Sequence, residues 1–428
     1  MNNLTNEQNQ VCENILDTMK QCGYRNVFTY FGESESIFIR RIGGFAGTGK
    51  TTVISNLRNM IKKGYPKLNV AFITYTGKAS TVLREKLEKN NALYDQDYIG
   101  TIHGLVYRAL TVWDSDLKTA IVVGWEKIPK DLISQNIFII DEASMVSETI
   151  WNDIISFDKS IIAVGDHGQL PPIGEDKFSL MSNPDMCLTE IHRQALNSPI
   201  IKLSKYVREN GNIPNNICFE DKSVFKLSWN NSLCRDLWNK KVTFDKDLIV
   251  LTGFNKTRVA MNNIIRNKLG YGGMKTPGPG ESIICLNNNH YIKVMNGQIG
   301  KVSWVMPETE NLHRITLNIN DTLYECMVSN FCFGKEEYSV MYDKELFRKE
   351  YKHIYKNSKR KFQKIDFFDY GYAISVHKSQ GSQWKRVVLF EERTKRWDDE
   401  YYKKWLYTAI TRAEEKLFII SDYREDSK

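Results

Sequence analysis

One stretch constrains this chain more than any other: Gly44-Phe45-Ala46-Gly47-Thr48-Gly49-Lys50-Thr51 fits G-x-x-x-x-G-K-[ST] at every fixed position. A strand-like apolar run precedes it (Ile37-Phe38-Ile39, then Ile42) and a helix-like run follows (Val53 to Ile61). Strand, loop and helix in that order are the context the pattern needs. Glycines let the backbone turn tightly, so that successive N–H groups point at one anion. The following helix offers its positive end to the same place. Lys50 is then placed to reach the β and γ phosphates of a nucleoside triphosphate, and the Thr51 hydroxyl to sit on Mg²⁺. A Gly-rich turn with a chance lysine is the alternative, and the flanking runs argue against it.

At 428 residues the chain predicts two or more domains, and 42% hydrophobic residues describe a globular protein. Lys and Arg number 59 against 51 Asp and Glu, a formal charge of +8. That excess is compatible with a nucleic-acid partner and too small to require one. The polar start, Met1 to Glu7, lacks a signal-peptide core, and no run is long enough to span a membrane. The eight cysteines form no C-x-x-C pair or zinc spacing, so reduced thiols and a cytoplasmic location, with no membrane partner, are expected.

The first half alternates strand and helix, which argues for a parallel sheet with ligands at its carboxyl edge. Thr5 and Gln8 read as a capping box ahead of a helix with Val11, Ile15 and Met19 on one face. A second reading has the Gln8 amide pair with adenine. Val70 to Tyr75 is an apolar strand leading to Thr76-Gly77-Lys78 and a helix with Ala79, Val82, Leu83 and Leu87 on one side. An ordinary helix start explains Thr76, Gly77 and Lys78 equally well. Thr101-Ile102-His103 follows, then strand formers from Leu105 to Ile128, with Trp113 and Trp125, around a polar turn at Asp114-Ser115-Asp116. That is the pattern of a short β-hairpin. Ile137-Phe138-Ile139-Ile140 runs into Asp141-Glu142: Asp141 is placed for Mg²⁺ through water, and Glu142 to deprotonate an attacking water. Ile161 to Val164 ends in Gly165-Asp166-His167-Gly168-Gln169, where Gln169 is placed to feel a γ-phosphate.

Leu188 to Gln194, including Arg193, is expected to begin a second sheet domain, with Leu248 to Thr252 as one of its strands, followed by Asn255 and a helix carrying Asn262, Asn263 and Arg266. From Ile283 short alternating strands and an Asn296-Gly297 turn predict a small barrel. Residues 347–364 interleave bases with aromatics, either a solvated helical face or a groove for a phosphate backbone. Parallel-sheet texture returns at Tyr372 to Gly381, Val387 to Phe390 and Leu417 to Ile420, with a helix 404–412 between.

In series these blocks resemble the superfamily-one helicases, and within them the RecD-like and phage Dda-like group. The residues that carry the resemblance are Leu4-Thr5…Gln8, the phosphate loop, Thr76-Gly77-Lys78-Ala79-Ser80, Thr101-Ile102-His103, Asp141-Glu142-Ala143-Ser144, Gly165-Asp166…Gln169-Leu170-Pro171-Pro172, Arg193, Val376-His377-Lys378-Ser379-Gln380-Gly381 and Tyr407…Thr411-Arg412-Ala413. The resemblance implies an α/β fold of two RecA-like parallel-sheet P-loop NTPase domains, with a β-hairpin pin and an SH3-like β-barrel inserted. The implied bounds are 1–103 and 132–178 for the first RecA-like domain, 104–131 for the pin, 179–282 and 371–428 for the second RecA-like domain, and 283–370 for the SH3-like insertion. It implies ATP and Mg²⁺ as cofactors, the ATP held between the RecA-like domains by Gln8, residues 44–51 (Gly44, Phe45, Ala46, Gly47, Thr48, Gly49, Lys50, Thr51), Thr52 and Gly381. Thr51 and Asp141 are the implied metal residues. Catalysis falls to Lys50, Asp141, Glu142, Gln169 and two arginine fingers, Arg193 and Arg412.

DNA contacts are implied at Thr76, Gly77, Lys78, Thr101 and His103, at Asn255, His377, Lys378 and Ser379, and at Trp113 and Trp125 of the pin. The implied activity is ATP-driven 5′-to-3′ movement on single-stranded DNA with unwinding of forked duplexes. A monomer serving replication, recombination or repair, with replication or single-strand-binding proteins as partners, follows from the same likeness, as does a phage origin. Three alternatives stay open: a helicase acting on RNA, a motor subunit of a nuclease complex, and a non-translocating ATP-dependent nucleic-acid-binding switch.

Overall fold

The computed structural model describes residues 4–24, 36–114, 119–172, 178–191, 197–215, 217, 221, 223–240, 242–245, 247–286, 294, 296–319, 321–336 and 365–422; the side chains of 109–125 and of Lys240 are outside that description. The backbone divides into two compact units. The first comprises residues 1–108, 125–210 and 403–408, the second residues 109–124, 211–402 and 409–428.

The first unit is built on α1 (Asn6–Gln21), β1 (Ile39–Gly44), α2 (Lys50–Gly64), β2 (Val70–Thr74), α3 (Gly77–Lys89), β3 (Tyr98–Thr101), α4 (Ile102–Val106), β6 (Ile137–Asp141), α5 (Glu148–Ile155), β7 (Ser160–Gly165), β8 (Met186–Leu188) and α6 (Pro199–Asn210). Its six strands lie in the order β3-β2-β6-β7-β1-β8, every pair parallel. Helices cover both faces, so β6 can be apolar throughout: Ile137 and Ile139 enter one core with Val11, Ile15, Leu57 and Ile61, while Phe138 and Ile140 enter another with Ile102, Ile154 and Phe157. Two expectations are corrected here. The segment at Leu188 does not open a second sheet: Met186–Leu188 pairs with β1 as an edge strand, three residues being too few to show periodicity. Val82 is not on the buried side of α3; it is 38% exposed, at the margin of the stripe made by Ala79, Leu83 and Leu87.

Between β3 and β6 the chain forms a two-stranded hairpin, β4 (Tyr107–Asp114) with β5 (Thr119–Lys127). The expected hairpin is therefore present as a backbone.

The second unit contains β9 (Val224–Ser228), α7 (Ser232–Lys240), β10 (Leu248–Thr252), α8 (Asn255–Lys268), β11 (Ser282–Cys285), β12 (Ile299–Pro307), β13 (Leu312–Ile319), β14 (Thr322–Ser329), β15 (Phe368–Tyr370), β16 (Ala373–Ser375), β17 (Trp384–Phe390) and β18 (Ala413–Ser421); α9 (Asp399–Ile410) precedes β18. One sheet, β16-β10-β17-β18-β9, is wholly parallel, and another, β14-β13-β12-β11-β15, is antiparallel. The antiparallel sheet stands where alternating short strands were expected, and Gly297 supplies the positive φ of the Asn-Gly turn. A single core cluster runs through both, from Val250, Val388 and Phe418 to Ile283, Ile315 and Leu317. Buried polar bonds from α8 fix the join: Asn262 bonds the Ala373 backbone at both its N–H and C=O, Arg266 pairs with Glu281 at 2.7 Å, and Arg258 pairs with Asp369. Among the described residues no helix is long and apolar enough to cross a membrane.

Candidate nucleotide site and nucleic-acid surface

Register places the motif residues of the first unit on one edge. Thr74 is level with both Asp141 and Thr101, and Gly43 is level with Gly165, so the loops after β1, β2, β3, β6 and β7 all leave from the carboxyl ends of adjacent strands. Nothing but a parallel sheet brings five such loops together.

Residues 44–50 turn through two left-handed glycines, Gly47 (φ 82°) and Gly49 (φ 79°), before α2 begins at Lys50. A Cβ on Gly44 would lie 2.7 Å from the Thr48 hydroxyl and 3.0 Å from Lys50 Cγ, so the cradle excludes a side chain there. Thr48 is buried, and its hydroxyl donates to the Phe45 carbonyl at 2.8 Å. Lys50 Nζ donates to the carbonyls of Gly44 (2.8 Å) and Phe45 (3.2 Å) and lies 3.8 Å from Asp166 Oδ2. Thr51 and Thr52 are half-buried on the first turn of α2.

Gln8 makes the capping box and also touches the phosphate loop. Its Oε1 accepts from Thr5 N–H (3.1 Å) and Thr5 Oγ1 accepts from Gln8 N–H (3.3 Å), completing the capping box. Its Nε2 donates to the Thr48 carbonyl at 2.9 Å, which brings the residue against the phosphate loop from 40 positions away.

At the end of β6, Asp141 accepts Glu142 N–H at 2.9 Å, and Glu142 adopts a left-handed backbone (φ 54°, ψ 41°). A non-glycine residue held there costs energy, and such strain collects at functional sites. Desolvation, then the neighbouring Glu142 charge, pushes Asp141 up to about 6, against the pull of the Glu142 N–H, Lys50 and Lys86. Glu142 Oε2 and Gln169 Oε1 are buried with no hydrogen-bond partner among the described residues. Gln169 Nε2 reaches Asp166 Oδ2 at 3.4 Å.

The orphaned Glu142 oxygen, the Gly44 cradle and a buried Asp141 whose charged form a cation would favour fit a triphosphate with its cation. Among the described residues no cluster of three or more His, Cys, Asp or Glu forms a self-sufficient metal cage. Mg²⁺ bound through one carboxylate, one hydroxyl and phosphate oxygens needs none.

On the same edge, Thr76 caps α3 by accepting Ala79 N–H (3.3 Å), and Thr101 caps α4 by accepting Gly104 N–H (3.0 Å). Gly77 is buried and Lys78 half-buried on the first turn of α3. The His103 ring lies 5.2 Å from the Tyr107 ring and 6.4 Å from that of Tyr75. Trp113 and Trp125 have backbones in β4 and β5, and their side chains lie outside the described residues. Arg193 also lies outside them, as does the basic-aromatic stretch 347–364.

The second unit presents a different edge. Thr252 is level with Ser375, so the loops carrying Phe254-Asn255 and His377-Lys378 leave side by side. Asn255 is exposed at the first turn of α8. His377 Nε2 and the Tyr401 hydroxyl are 2.8 Å apart, and desolvation lowers the histidine to about 4. Lys378 Nζ donates to Asn296 Oδ1 at 3.3 Å, its pKa lowered by burial; Ser379 is buried and donates to the Val376 carbonyl at 2.7 Å. Gly381 takes φ 72°. Beside them, part-exposed rings form a run that the motif reading missed: Phe254 to Trp397 at 5.4 Å, Trp397 to Tyr401 at 5.3 Å, Tyr401 to His377 at 6.2 Å. Glu392 holds the first loop, accepting Gly253 N–H (2.6 Å), Phe254 N–H (3.2 Å) and the Thr257 hydroxyl. Arg412, 3% exposed, donates to the Ser382 carbonyl (3.2 Å) and to the Thr411 hydroxyl (3.1 Å) just before β18.

These features define a P-loop nucleotide-binding protein with two parallel sheets. Residues 34–175 match the AAA domain model and residues 370–420 the UvrD-like helicase C-terminal domain model. Beyond these two domain models, the chain is similar to helicases named RecD2 and Pif1. It is 24% identical to the ATP-dependent RecD2 DNA helicase of Deinococcus radiodurans over 88% of this chain and 46% of that protein. It is 27% identical to the ATP-dependent DNA helicase Pif1 of Campylobacter jejuni over 67% of this chain and 69% of that protein. The fold matches the crystal structure of Bacteroides Pif1 helicase in complex with ADP-AlF3 and ssDNA, with TM-score 0.53, 17% identity and coverage of 98% of this chain and 92% of that one. The chain spans half or less of the length of several curated relatives, 50%, 36% and 46% for three of them.

Proposed function

We propose that this chain is an ATP-dependent DNA helicase that moves 5′ to 3′ on single-stranded DNA and unwinds forked duplexes. The observation that carries the ATPase part is the common edge of the first sheet, where the cradle, Lys50, Asp141, Glu142 and Gln169 meet. When bound, Mg²⁺ neutralises charge on the β and γ phosphates.

Lys50 exchanges its two loop carbonyls for phosphate oxygens. Thr51 and Asp141 would hold the Mg²⁺, and Glu142 takes the proton of the attacking water. Gln169 orients that water or senses the γ-phosphate. Gln8 selects adenine, Thr52 and Gly381 line the nucleotide, and Arg193 and Arg412 act as arginine fingers; these roles rest on the resemblance to superfamily-one helicases.

For the track, Thr76, Gly77, Lys78, Thr101 and His103 make one grip, and Asn255, His377, Lys378 and Ser379 another. The part-exposed run Phe254, Trp397, Tyr401 adds base-stacking faces to the second grip. The hairpin is the strand-separating pin, with Trp113 or Trp125 as its wedge, and the antiparallel sheet is the SH3-like insertion.

The test is ATP hydrolysis by the purified chain with no polymer, single-stranded DNA or single-stranded RNA, alongside forked duplexes with one 5′ or one 3′ tail. Stimulation by DNA with unwinding from the 5′ tail alone is the expected result. Equal stimulation by RNA moves the substrate to RNA, and hydrolysis indifferent to both polymers defeats the motor reading. Replacing Trp113 and Trp125 together is expected to leave DNA-stimulated hydrolysis and remove unwinding; unchanged unwinding refutes the pin.

A further inference from the structure

Tyr407 belongs to a buried hydrogen-bond chain to which the motif reading gives no role. It is 1% exposed, and residues 403–408 group with the first unit. Its hydroxyl accepts Ala46 N–H at 2.8 Å and donates to Asp166 Oδ2 at 2.7 Å. Asp166 is fully buried and also accepts Gly168 N–H through Oδ1 at 2.9 Å. The adjacent Thr408 hydroxyl accepts Leu170 N–H at 3.0 Å, seating the same two residues on the loop after β7. The Phe45 ring packs edge-on to Tyr407 at 6.1 Å, with the Arg208 guanidinium 3.4 Å from the centre of that ring.

The chemistry turns on competition for one carboxylate. A buried anion takes whatever donors stand closest, and leaving one short of partners is expensive. Among the described residues Lys50 is the cation paired with Asp166, 3.8 Å from the oxygen that Tyr407 already holds at 2.7 Å. Without the hydroxyl, Asp166 would draw the ammonium into a close buried pair. Lys50 would then be spent on the protein and withheld from phosphate.

We propose that Tyr407 is a positioning residue of the nucleotide site: by occupying Asp166 and anchoring the loop at Ala46, it keeps Lys50 available to the triphosphate. The proposal rests on the nucleotide-binding part of the function above and not on hydrolysis or movement, so a chain that binds Mg²⁺–ATP without hydrolysing it still tests it.

The experiment is calorimetric titration of the full chain with Mg²⁺–ATP for wild type, Tyr407→Phe, Asp166→Asn and the double variant, with a melting curve for each. Tyr407→Phe is expected to weaken ATP binding about tenfold, the scale of one hydrogen bond to a charged group. Asp166→Asn removes the competitor, so the double variant is expected to return to within about threefold of Asp166→Asn alone, a non-additivity that only coupled groups show. A merely structural tyrosine would not be rescued by deleting a second hydrogen-bonding partner. Wild-type affinity in Tyr407→Phe, or a double variant as weak as Tyr407→Phe, overturns the proposal. Should Tyr407→Phe fail to fold, the double variant, which buries no unpaired carboxylate, is compared with Asp166→Asn; a difference beyond about threefold overturns it as well.

Discussion

The carboxyl edges of the two parallel sheets use one scaffold for opposite chemistry. On the first, a loop turned by glycines, a lysine and two acids gather around the ends of β1, β6 and β7, with the Phe45 and His167 rings beside them. On the second, Phe254, Trp397, Tyr401 and His377 line up, and Glu392 is turned inward onto backbone amides. A parallel sheet fixes where loops emerge and leaves their content free. Phosphate is gripped by point donors at fixed distances; the faces of bases are gripped by area. On the proposed function, the ends of β1, β6 and β7 make a site for a small anion, and the ring run of the second edge adds stacking faces for a polymer.

The sharpest way to break that division is at Arg412. If it is an arginine finger, Arg412→Ala lowers kcat about 10³-fold or more while Mg²⁺–ATP affinity holds, read by steady-state hydrolysis and calorimetry. Loss of the melting transition or of ATP binding would instead assign Arg412 to its Ser382 and Thr411 bonds.

Next in size is Lys50→Ala, expected to cost about 10²–10³-fold in kcat/KM as a charge stabiliser is lost. Normal turnover would refute the nucleotide site itself.

On the other edge, Trp397→Ala is expected to weaken single-stranded DNA binding by about 1–3 kcal/mol, the scale of one base–aromatic stack, with the salt slope unchanged because no phosphate contact is removed. Fluorescence titration at several salt concentrations reads both. A changed slope with unchanged affinity would make the ring run a packing feature.

The smallest effect compares the edges through pH. Burial pushes Asp141 up to about 6 and His377 down to about 4, each toward its neutral form. For Asp141 the folded protein binds the proton more tightly than the unfolded chain, so its ionisation penalty is complete above about pH 6 and is relieved as pH falls toward the unfolded carboxylate value. For His377 the unfolded chain binds the proton more tightly, so stability is lost as pH falls from about 6.5 toward about 4. In nucleotide-free protein, Asp141→Asn is expected to raise stability at pH 7.5 by roughly 1 kcal/mol and by little at pH 4. His377→Gln is expected to flatten the loss between pH 6.5 and 4. Denaturant melts across pH check both, and equal effects at both pH values would remove the titration account.

Much of the nucleotide site was legible because it is local in sequence. Residues 44–51 turn tightly through their own glycines, and Asp141-Glu142 ends a strand whose apolarity is plain from Ile137 to Ile140. The capping box was legible for the same reason, its two bonds spanning three residues. Trp397 was not, since one aromatic in a polar loop carries no period, and its place in the ring run depends on Phe254, 143 positions earlier, as well as on nearby Tyr401. Nor was the β8 pairing, which depends on where β1 leaves an open edge.

The sequence by itself determined the phosphate loop, the acids of β6, the alternation that makes two parallel sheets and the switch to antiparallel strands beyond Ile283. Those are properties of short segments, set by backbone freedom and burial period. Only the tertiary structure decided that Tyr407, 361 residues from Ala46 and 241 from Asp166, holds both, and that Gln8 reaches Thr48 across 40. Hydrogen bonds between distant segments leave no trace in either segment's composition, because their partners are chosen by the packing that buries them.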